Sequence, residues 1–277
     1  MVQNKKQEER LDYLLHEFKK DSVKYKDVAV NDSYNDKRRL LRSLMNIRMP
    51  GRMEKNVMKV QDEFLAEEAH ENGIITLTDI LTVNQQYGSK NPYADKISVY
   101  QGDITMLAVD AIVNAANSQM LGCFVPCHGC IDNAIHSAAG IQLREECNCM
   151  MRIQGHEEET GTAKLTKGYN LPCKHIIHTV GPIIRGSLTE RDCQLLRSCY
   201  RSCLEMADTN GLKSIAFCCV STGEFHFPNE KAAEIAVDTV TEYLKNSGLE
   251  RVIFNVFKDY DLILYEDILK GWASPYI

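Results

Sequence analysis

Residues 111–140 read AIVNAANSQMLGCFVPCHGCIDNAIHSAAG. The segment opens on a short apolar run, Ala111-Ile112-Val113, with the composition of a buried strand. Two amides, Asn114 and Asn117, then flank Ala115 and Ala116. A loop rich in Cys, His, Gly and Pro follows, and after it a helical stretch from Asp132 to Ala139. Strand, loop and helix in that order make one unit of an α/β sheet, where ligands sit in loops between a strand end and a helix start.

The same alternation extends both ways along the chain. Short β-rich runs lie at Ile97–Tyr100, His175–Val180, Ser214–Val220 and Val252–Phe257. Helical patterns lie at Leu188–Asp208, Glu230–Lys245 and Tyr260–Lys270. The expected architecture is a mixed sheet with helices on its faces. Before about Lys96 the pattern is helical. Leu11, Leu14, Leu15 and Phe18 repeat at helical spacing, as do Leu40, Leu41, Leu44, Met45 and Ile47, and Val57, Val60, Phe64 and Leu65. An apolar patch from Ile74 to Val83 and a turn-rich stretch from Asn84 to Pro92, expected as a linker, complete this part. The expected division is a helical extension over 1–95 and an α/β domain over 96–277.

Bulk composition narrows the function. The chain has 277 residues, 44% hydrophobic and 25% charged, which suits a folded globular protein. A net charge of -6 argues against a nucleic-acid-binding face as its main business, yet leaves room for one small anion held by backbone N–H groups. Met1 to Glu9 is polar, with no apolar segment of signal type, and no run reaches the ~20 apolar residues of a membrane span. The expectation is a cytoplasmic protein with no membrane partner. Its 11 cysteines are an odd number, which argues against a disulfide framework. Cys218 and Cys219 sit in an apolar run and read as core thiols.

Cys123, Cys127, His128 and Cys130 need another explanation. Cys and His are the usual zinc ligands, and the spacing is not that of a paired zinc ribbon. A site made by Cys123, His128 and Cys130 has three protein ligands and one open position, as catalytic zinc sites do. Cys127 could close the tetrahedron, though as the neighbour of His128 it is badly placed to reach the same ion. The bland reading, free thiols in a surface loop, leaves three oxidisable groups side by side.

Three further loops carry donors for a ligand. Gly102-Asp103-Ile104-Thr105 comes directly after a strand, and its Asp either caps the next turn or accepts from a ligand amine. Asn114-Ala115-Ala116-Asn117 is either a turn or an amide pair for hydroxyls. Ser221-Thr222-Gly223-Glu224-Phe225-His226-Phe227-Pro228 precedes a helix and can cradle a diphosphate.

In this order the loops resemble those of a macrodomain, the ADP-ribose-binding three-layer α/β/α fold with a mixed sheet. The likeness rests on Gly102–Thr105, Asn114–Asn117, Asp132–His136 with Ala138-Ala139-Gly140, His178-Thr179-Val180-Gly181-Pro182 and Ser221-Thr222-Gly223. Deacylating macrodomains usually carry a run of glycines before the Asp. Its replacement by Cys123–Cys130 is similar to the zinc-dependent macrodomains of bacteria and fungi, often found beside a sirtuin that adds ADP-ribose. Arg38-Arg39-Leu40-Leu41-Arg42 and Gln61-Asp62-Glu63 also resemble members of that group. The resemblance implies Zn2+ on Cys123, His128 and Cys130. It places Asp103 and Ile104 at the adenine, and Asn117 and Asp132 at the distal ribose and scissile bond as the catalytic pair. Backbone of Ser221, Thr222, Gly223 and Glu224 would hold the diphosphate, and Phe225 would cover the distal ribose.

The implied reaction is hydrolysis of ADP-ribose from a protein side chain, with an Asp or Glu ester as the target. The implied partner is a modified protein, such as a lipoyl-carrier-type protein modified by the linked sirtuin, and the product is ADP-ribose. Zinc would either activate water or position and polarise substrate oxygens. Two thiolates cancel its double charge, which favours the second. The alternative is a non-catalytic ADP-ribose reader with structural zinc, against which Asn117 and Asp132 count. A nucleoside deaminase needs a Glu in an H-x-E arrangement, which His128-Gly129-Cys130 lacks.

Overall fold

The computed structural model describes residues 5–271, so Met1–Asn4 and the last six residues of the expected α/β domain lie outside the described part. Three helices come first: α1 (Lys5–Lys20), α2 (Tyr34–Ile47) and α3 (Lys55–Asn72). Their apolar stripes close on one another. Leu11, Leu14, Phe18, Leu41, Leu44, Val57 and Phe64 form a small core of their own. Ser33 caps α2 by accepting from the Asp36 N–H.

The chain then enters the sheet domain earlier than its pattern suggests. Strand β1 (Ile75–Thr76) pairs with β3 (Leu107–Ala108), and helix α4 (Val83–Tyr87) occupies part of the expected linker. Ile80, Val83 and Ala94 join the larger core. Ser89 donates to the Leu269 carbonyl and Asn91 to Thr241. Ser89 and Asn91 are thus buried partners, while Asn84, Gln85, Gln86 and Lys90 are exposed, and Ile80, Val83 and Ala94 pack with the core of the sheet.

The main sheet contains β2 (Ile97–Gln101), β4 (Ala111–Ala116), β5 (Ala163–Lys167), β6 (His175–Val180), β7 (Ser214–Phe217) and β8 (Arg251–Val256). Their order is β2-β8-β7-β4-β6-β5, and all neighbours are parallel except β5, which runs antiparallel to β6 at the edge. Helices α5 (Ile131–Ala139) and α6 (Ile141–Gln154) lie between β4 and β6, α7 (Glu190–Thr209) between β6 and β7, α8 (Asn229–Tyr243) between β7 and β8, and α9 (Asp259–Lys270) after β8. The crossover from β4 to β6 steps one way along the sheet, and those from β6 to β7 and β7 to β8 step the other way. Crossovers of the same right hand going in opposite directions fall on opposite faces, which gives the three layers.

Strands buried on both faces read as continuous apolar runs, and Ile112, Val113, Ile176, Ile177, Ile215, Val252 and Ile253 are all fully buried. Strand β4 runs on to Ala116, so Asn114 and Ala115 lie in the strand and the loop begins at Asn117. Asp110 ties the lower ends of three strands. It accepts from Lys174 Nζ, from the N–H groups of Lys213 and Ser214, and from the Ser214 hydroxyl.

Besides the contacts of α2 with the loop before α5 and with α5 itself, two polar seams dock the helical extension on the sheet domain. At one, α3 meets the start of α6: Gln61 accepts from the Ile141 N–H, and Asp62 accepts from Gln142 and Asn170. At the other, Arg144 of α6 donates to the carbonyls of Met45, Asn46 and Arg48 at the end of α2, and to Leu121. Those α2 carbonyls are the acceptors a helix end leaves open. Among the described residues no helix is long and apolar enough to cross a membrane.

Candidate active site

All five parallel strands end on one rim, and the candidate residues lie just beyond those ends. Asp103 comes after β2. Its Oδ1 accepts from the N–H and the hydroxyl of Thr105, so it caps a short turn while its exposed carboxylate stays at the rim. The Ile104 side chain is buried in the main core, which leaves its backbone to any ligand. The β7 loop, with Ser221–Phe225, and the β4 loop, with Asn117, come next along the rim.

The β4 loop brings Cys123, His128 and Cys130 together, with ligand atoms within 4.8 Å of one another. Cys130 is the N-cap of α5, its sulfur accepting from the Asn133 N–H at 3.4 Å. Burial, and then the facing Cys123 thiol, raise the Cys130 thiol well above its ordinary range. Two such thiols sharing a site become favourable as thiolates when a divalent cation replaces their protons. The Nδ1 of His128 is buried without a hydrogen-bond partner, while its Nε2 faces Glu224 Oε1 at 3.9 Å. Two close thiols and an imidazole with a nitrogen in reach of both fit a zinc ion, and the donor set is a usual one. Cys127 takes no part. It adopts a left-handed turn, φ 51°, and its sulfur lies 3.3 Å from the Ser43 hydroxyl on α2.

Asp132 lies two residues beyond Cys130, in the first turn of α5. It is 5% exposed; Oδ1 accepts from Asn114 Nδ2 at 2.8 Å, and Asn117 Nδ2 lies 3.4 Å from Oδ2. Burial pushes its carboxyl up to about 6, with Asn114 and Arg144 acting against the shift. The Asn114 amide also donates to Nδ1 of His178, whose Nε2 then donates to Thr166. Burial lowers His178 to about 3, and burial followed by His178 lowers His136, so both rings are neutral at pH 7. His136 packs under Gly122. That glycine has φ 79°, and a Cβ there would sit 2.8 Å from the ring. A second group, His136, Cys147 and His178, is fully buried. Both nitrogens of His178 are already bonded, so it offers no open donor there.

In the β7 loop Ser221 takes φ 66° and His226 φ 57°. The N–H of Thr222 goes to Cys219, that of His226 to Gly223, and that of Phe227 to Ser221. Among the described residues the N–H groups of Gly223, Glu224 and Phe225 have no protein acceptor. Three successive free N–H groups in a tight turn make a concavity for an anion. Phe225 is half-buried, with its carbonyl accepting from the Ile184 N–H, and Phe227 is the residue that fills the core. His226 is exposed.

The sequence pattern places Asn114 in a loop where it is a strand residue, gives Arg42 no role beyond the Arg38–Arg42 motif, and does not mark Asn46 or Arg144. Arg42 donates to Asn133 Oδ1 and to the His128 carbonyl, and Asn46 accepts from the Cys127 N–H. No local pattern marks these residues, because their partners lie in distant parts of the chain.

A six-stranded mixed sheet in this order, with helices on both faces and its loops gathered on one rim, is the macrodomain architecture. Residues 113–236 match the Macro domain family model. Among solved structures, a Trypanosoma brucei macrodomain in complex with ADP-ribose is 29% identical, with TM-score 0.63, over 87% of this chain and 99% of that one. An Oceanobacillus iheyensis macrodomain with ADP is 37% identical, with TM-score 0.59, over 64% of this chain and 92% of that one. A protein-ADP-ribose hydrolase of Treponema medium is 50% identical over 264 residues, 95% of this chain and 99% of that protein. One of Staphylococcus aureus is 45% identical over 268 residues, 96% and 97% of the two chains. The chain belongs to the protein-ADP-ribose hydrolase family of macrodomains.

Proposed function

We propose that this chain hydrolyses the bond between the distal ribose of ADP-ribose and a protein side chain, an Asp or Glu ester, with a zinc ion held by Cys123, His128 and Cys130. One observation carries the reading: the order of loops along the rim. Asp103 ends β2, the anion-accepting turn ends β7, and Asn117 with Asp132 and the Cys/His cluster ends β4. Strand β2 is three places from β4, roughly 14 Å at ~4.8 Å per strand. An extended ligand lying across that edge meets an acceptor, then three free N–H groups, then a carboxylate beside amides. Adenine, diphosphate and ribose come in the same order.

The residues divide the work. Asp103 accepts from the adenine amino group. The N–H groups of Gly223, Glu224 and Phe225 donate to diphosphate oxygens. Asn117 and Asp132 hold the distal ribose from below. A carboxylate shielded from water and fixed by Asn114 opposes positive charge developing at the anomeric carbon, and it can align a water for attack there. Water adds to that carbon as its bond to the side-chain oxygen breaks, releasing ADP-ribose and the free carboxylic acid. Zinc, when bound, supplies Lewis acidity at the substrate oxygens.

The test pairs metal analysis with release of ADP-ribose from Asp/Glu-, Ser- and Arg-linked substrates, with and without chelator. A lipoyl-carrier-type protein modified by a linked sirtuin is the partner to try first. The expected result is one zinc per chain and chelator-sensitive cleavage of the ester. Full-rate cleavage by metal-stripped protein would sink the role of zinc, and binding without turnover would leave a reader.

A further inference from the structure

We propose that the last turns of α2 are part of the metal centre, with Arg42 and Asn46 as positioning residues that hold the Cys/His loop in ligand geometry. The inference rests on the zinc reading above and goes beyond it. Residues 121–130 contain no helix or strand, so three donors spread over them have no frame of their own. Fixing each flexible residue has an entropic cost, and a loop ordered only on ligation would bear that cost at binding.

The frame comes from α2. Arg42 Nε and Nη2 donate to Asn133 Oδ1 at 3.1 and 2.7 Å, and Nη2 also reaches the His128 carbonyl at 3.3 Å. Asn133 in turn donates its N–H to the Cys130 sulfur and its side-chain amide to the Val125 carbonyl. With its Oδ1 fixed by the guanidinium, the Asn133 amide can face Val125 in only one way. One planar fork therefore holds the backbone of His128 directly and, through the Asn133 side chain, the loop at Val125. Lysine, with a single rotatable ammonium, has no such fork.

Asn46 holds the residue before His128. Its Oδ1 accepts from the Cys127 N–H at 2.8 Å, and its Nδ2 donates to Ser137 at 2.9 Å. Asn46 is 1% exposed, so its side chain is held in one place beside the half-buried Cys127. The bond holds Cys127 in its left-handed turn, with the sulfur against Ser43. That turn keeps the Cys127 sulfur with α2, and His128 Nδ1 is left as the unpartnered nitrogen.

The experiment measures zinc affinity of the full chain by competition with a chromophoric chelator, and zinc release in a chelator chase. Wild type, Arg42→Ala, Arg42→Lys and Asn46→Ala are compared, with ADP-ribose affinity by calorimetry and far-UV circular dichroism alongside. Loss of an outer partner of a ligand weakens metal binding by about 10- to 100-fold. Arg42→Ala should fall in that range and release zinc faster, with ADP-ribose affinity within a few-fold of wild type. Arg42→Lys should fall between the two. A general folding defect would instead lower ADP-ribose affinity and zinc affinity together and spare the lysine variant. Folded variants that bind and release zinc as wild type does would overturn the inference. Failure of wild type itself to bind zinc would overturn the parent reading.

Discussion

Replacing Arg144 by Met removes one guanidinium from four carbonyls and should cost about 4 kcal/mol of stability. Arg144 is 5% exposed, and its four contacts run from 2.6 to 3.0 Å. Its guanidinium also lies 4.3 Å from the centre of the Phe124 ring. Burial lowers its pKa to about 10, so it remains charged at pH 7. Nη1 has two hydrogens for three of these carbonyls, so the contacts count as three charge-assisted bonds at ~2 kcal/mol each, which with ~1 kcal/mol for the ring give about 7 kcal/mol. Removing a charge from a dry site returns part of that, about 3 kcal/mol. Methionine keeps most of the stem's packing. The assay is urea unfolding monitored by far-UV circular dichroism, with hydrogen exchange read at the last turn of α2. The midpoint should drop, and the amides near Met45 to Arg48 should lose protection first. A loss below about 1 kcal/mol, with α2 still protected, would refute the view that this arginine pins α2 to α6.

The same geometry sets the outcome of other perturbations. Gly122→Ala places a Cβ 2.8 Å from the His136 ring at φ 79°, a clash and a left-handed strain together worth about 2–5 kcal/mol; zinc content and thermal midpoint should both fall, and unchanged values would show that the ring can yield. Asp132→Asn keeps shape but sets an amide against the donors of Asn114 and Asn117. Release of ADP-ribose from modified protein should drop about 10²- to 10⁴-fold with ADP-ribose affinity falling less, and a rate within fivefold of wild type would remove Asp132 from the chemistry. Asp110→Asn tests a pH dependence. Burial alone would raise that carboxyl, but Lys174 and the N–H groups of Lys213 and Ser214 outweigh it and hold it below the usual range. A depressed folded pKa gives stability that is present above the unfolded value of about 3.9 and is lost as pH falls through the folded one. Wild type should therefore exceed the variant by about 1–2 kcal/mol at pH 7, with the gap closing below about pH 4; a gap constant with pH would contradict the pairing.

The sheet was legible where strands are buried on both faces, as at Ile112-Val113 and Ile176-Ile177. It was not legible at β5, where Ala163-Lys164-Leu165-Thr166-Lys167 is a half-exposed edge with two lysines. Helix α6 carries no clear apolar stripe, because its buried apolar positions, Leu143 and Cys147, stand among charged residues and Arg144 is buried with them. The Cys/His cluster could be read from spacing alone, since its members lie in one loop. Asn114 could not, because a polar residue at the end of a strand reads as a turn until Asp132 is seen to accept from it. Ile104 reads as a rim residue in sequence and is a core residue in space, since the short turn capped by Asp103 points it inward.

The grip of α2 on the Cys/His loop joins parts of the chain made at different times. The Asn46–Cys127 bond spans 81 residues and the Arg42–Asn133 bond 91. On a ribosome, α2 emerges long before the thiols do, and pairings this far apart close late because the intervening segment must first be gathered in. A nascent chain would display its sulfurs before any scaffold surrounds them. Correct loading would then belong to the finished protein, downstream of the docking of its two halves.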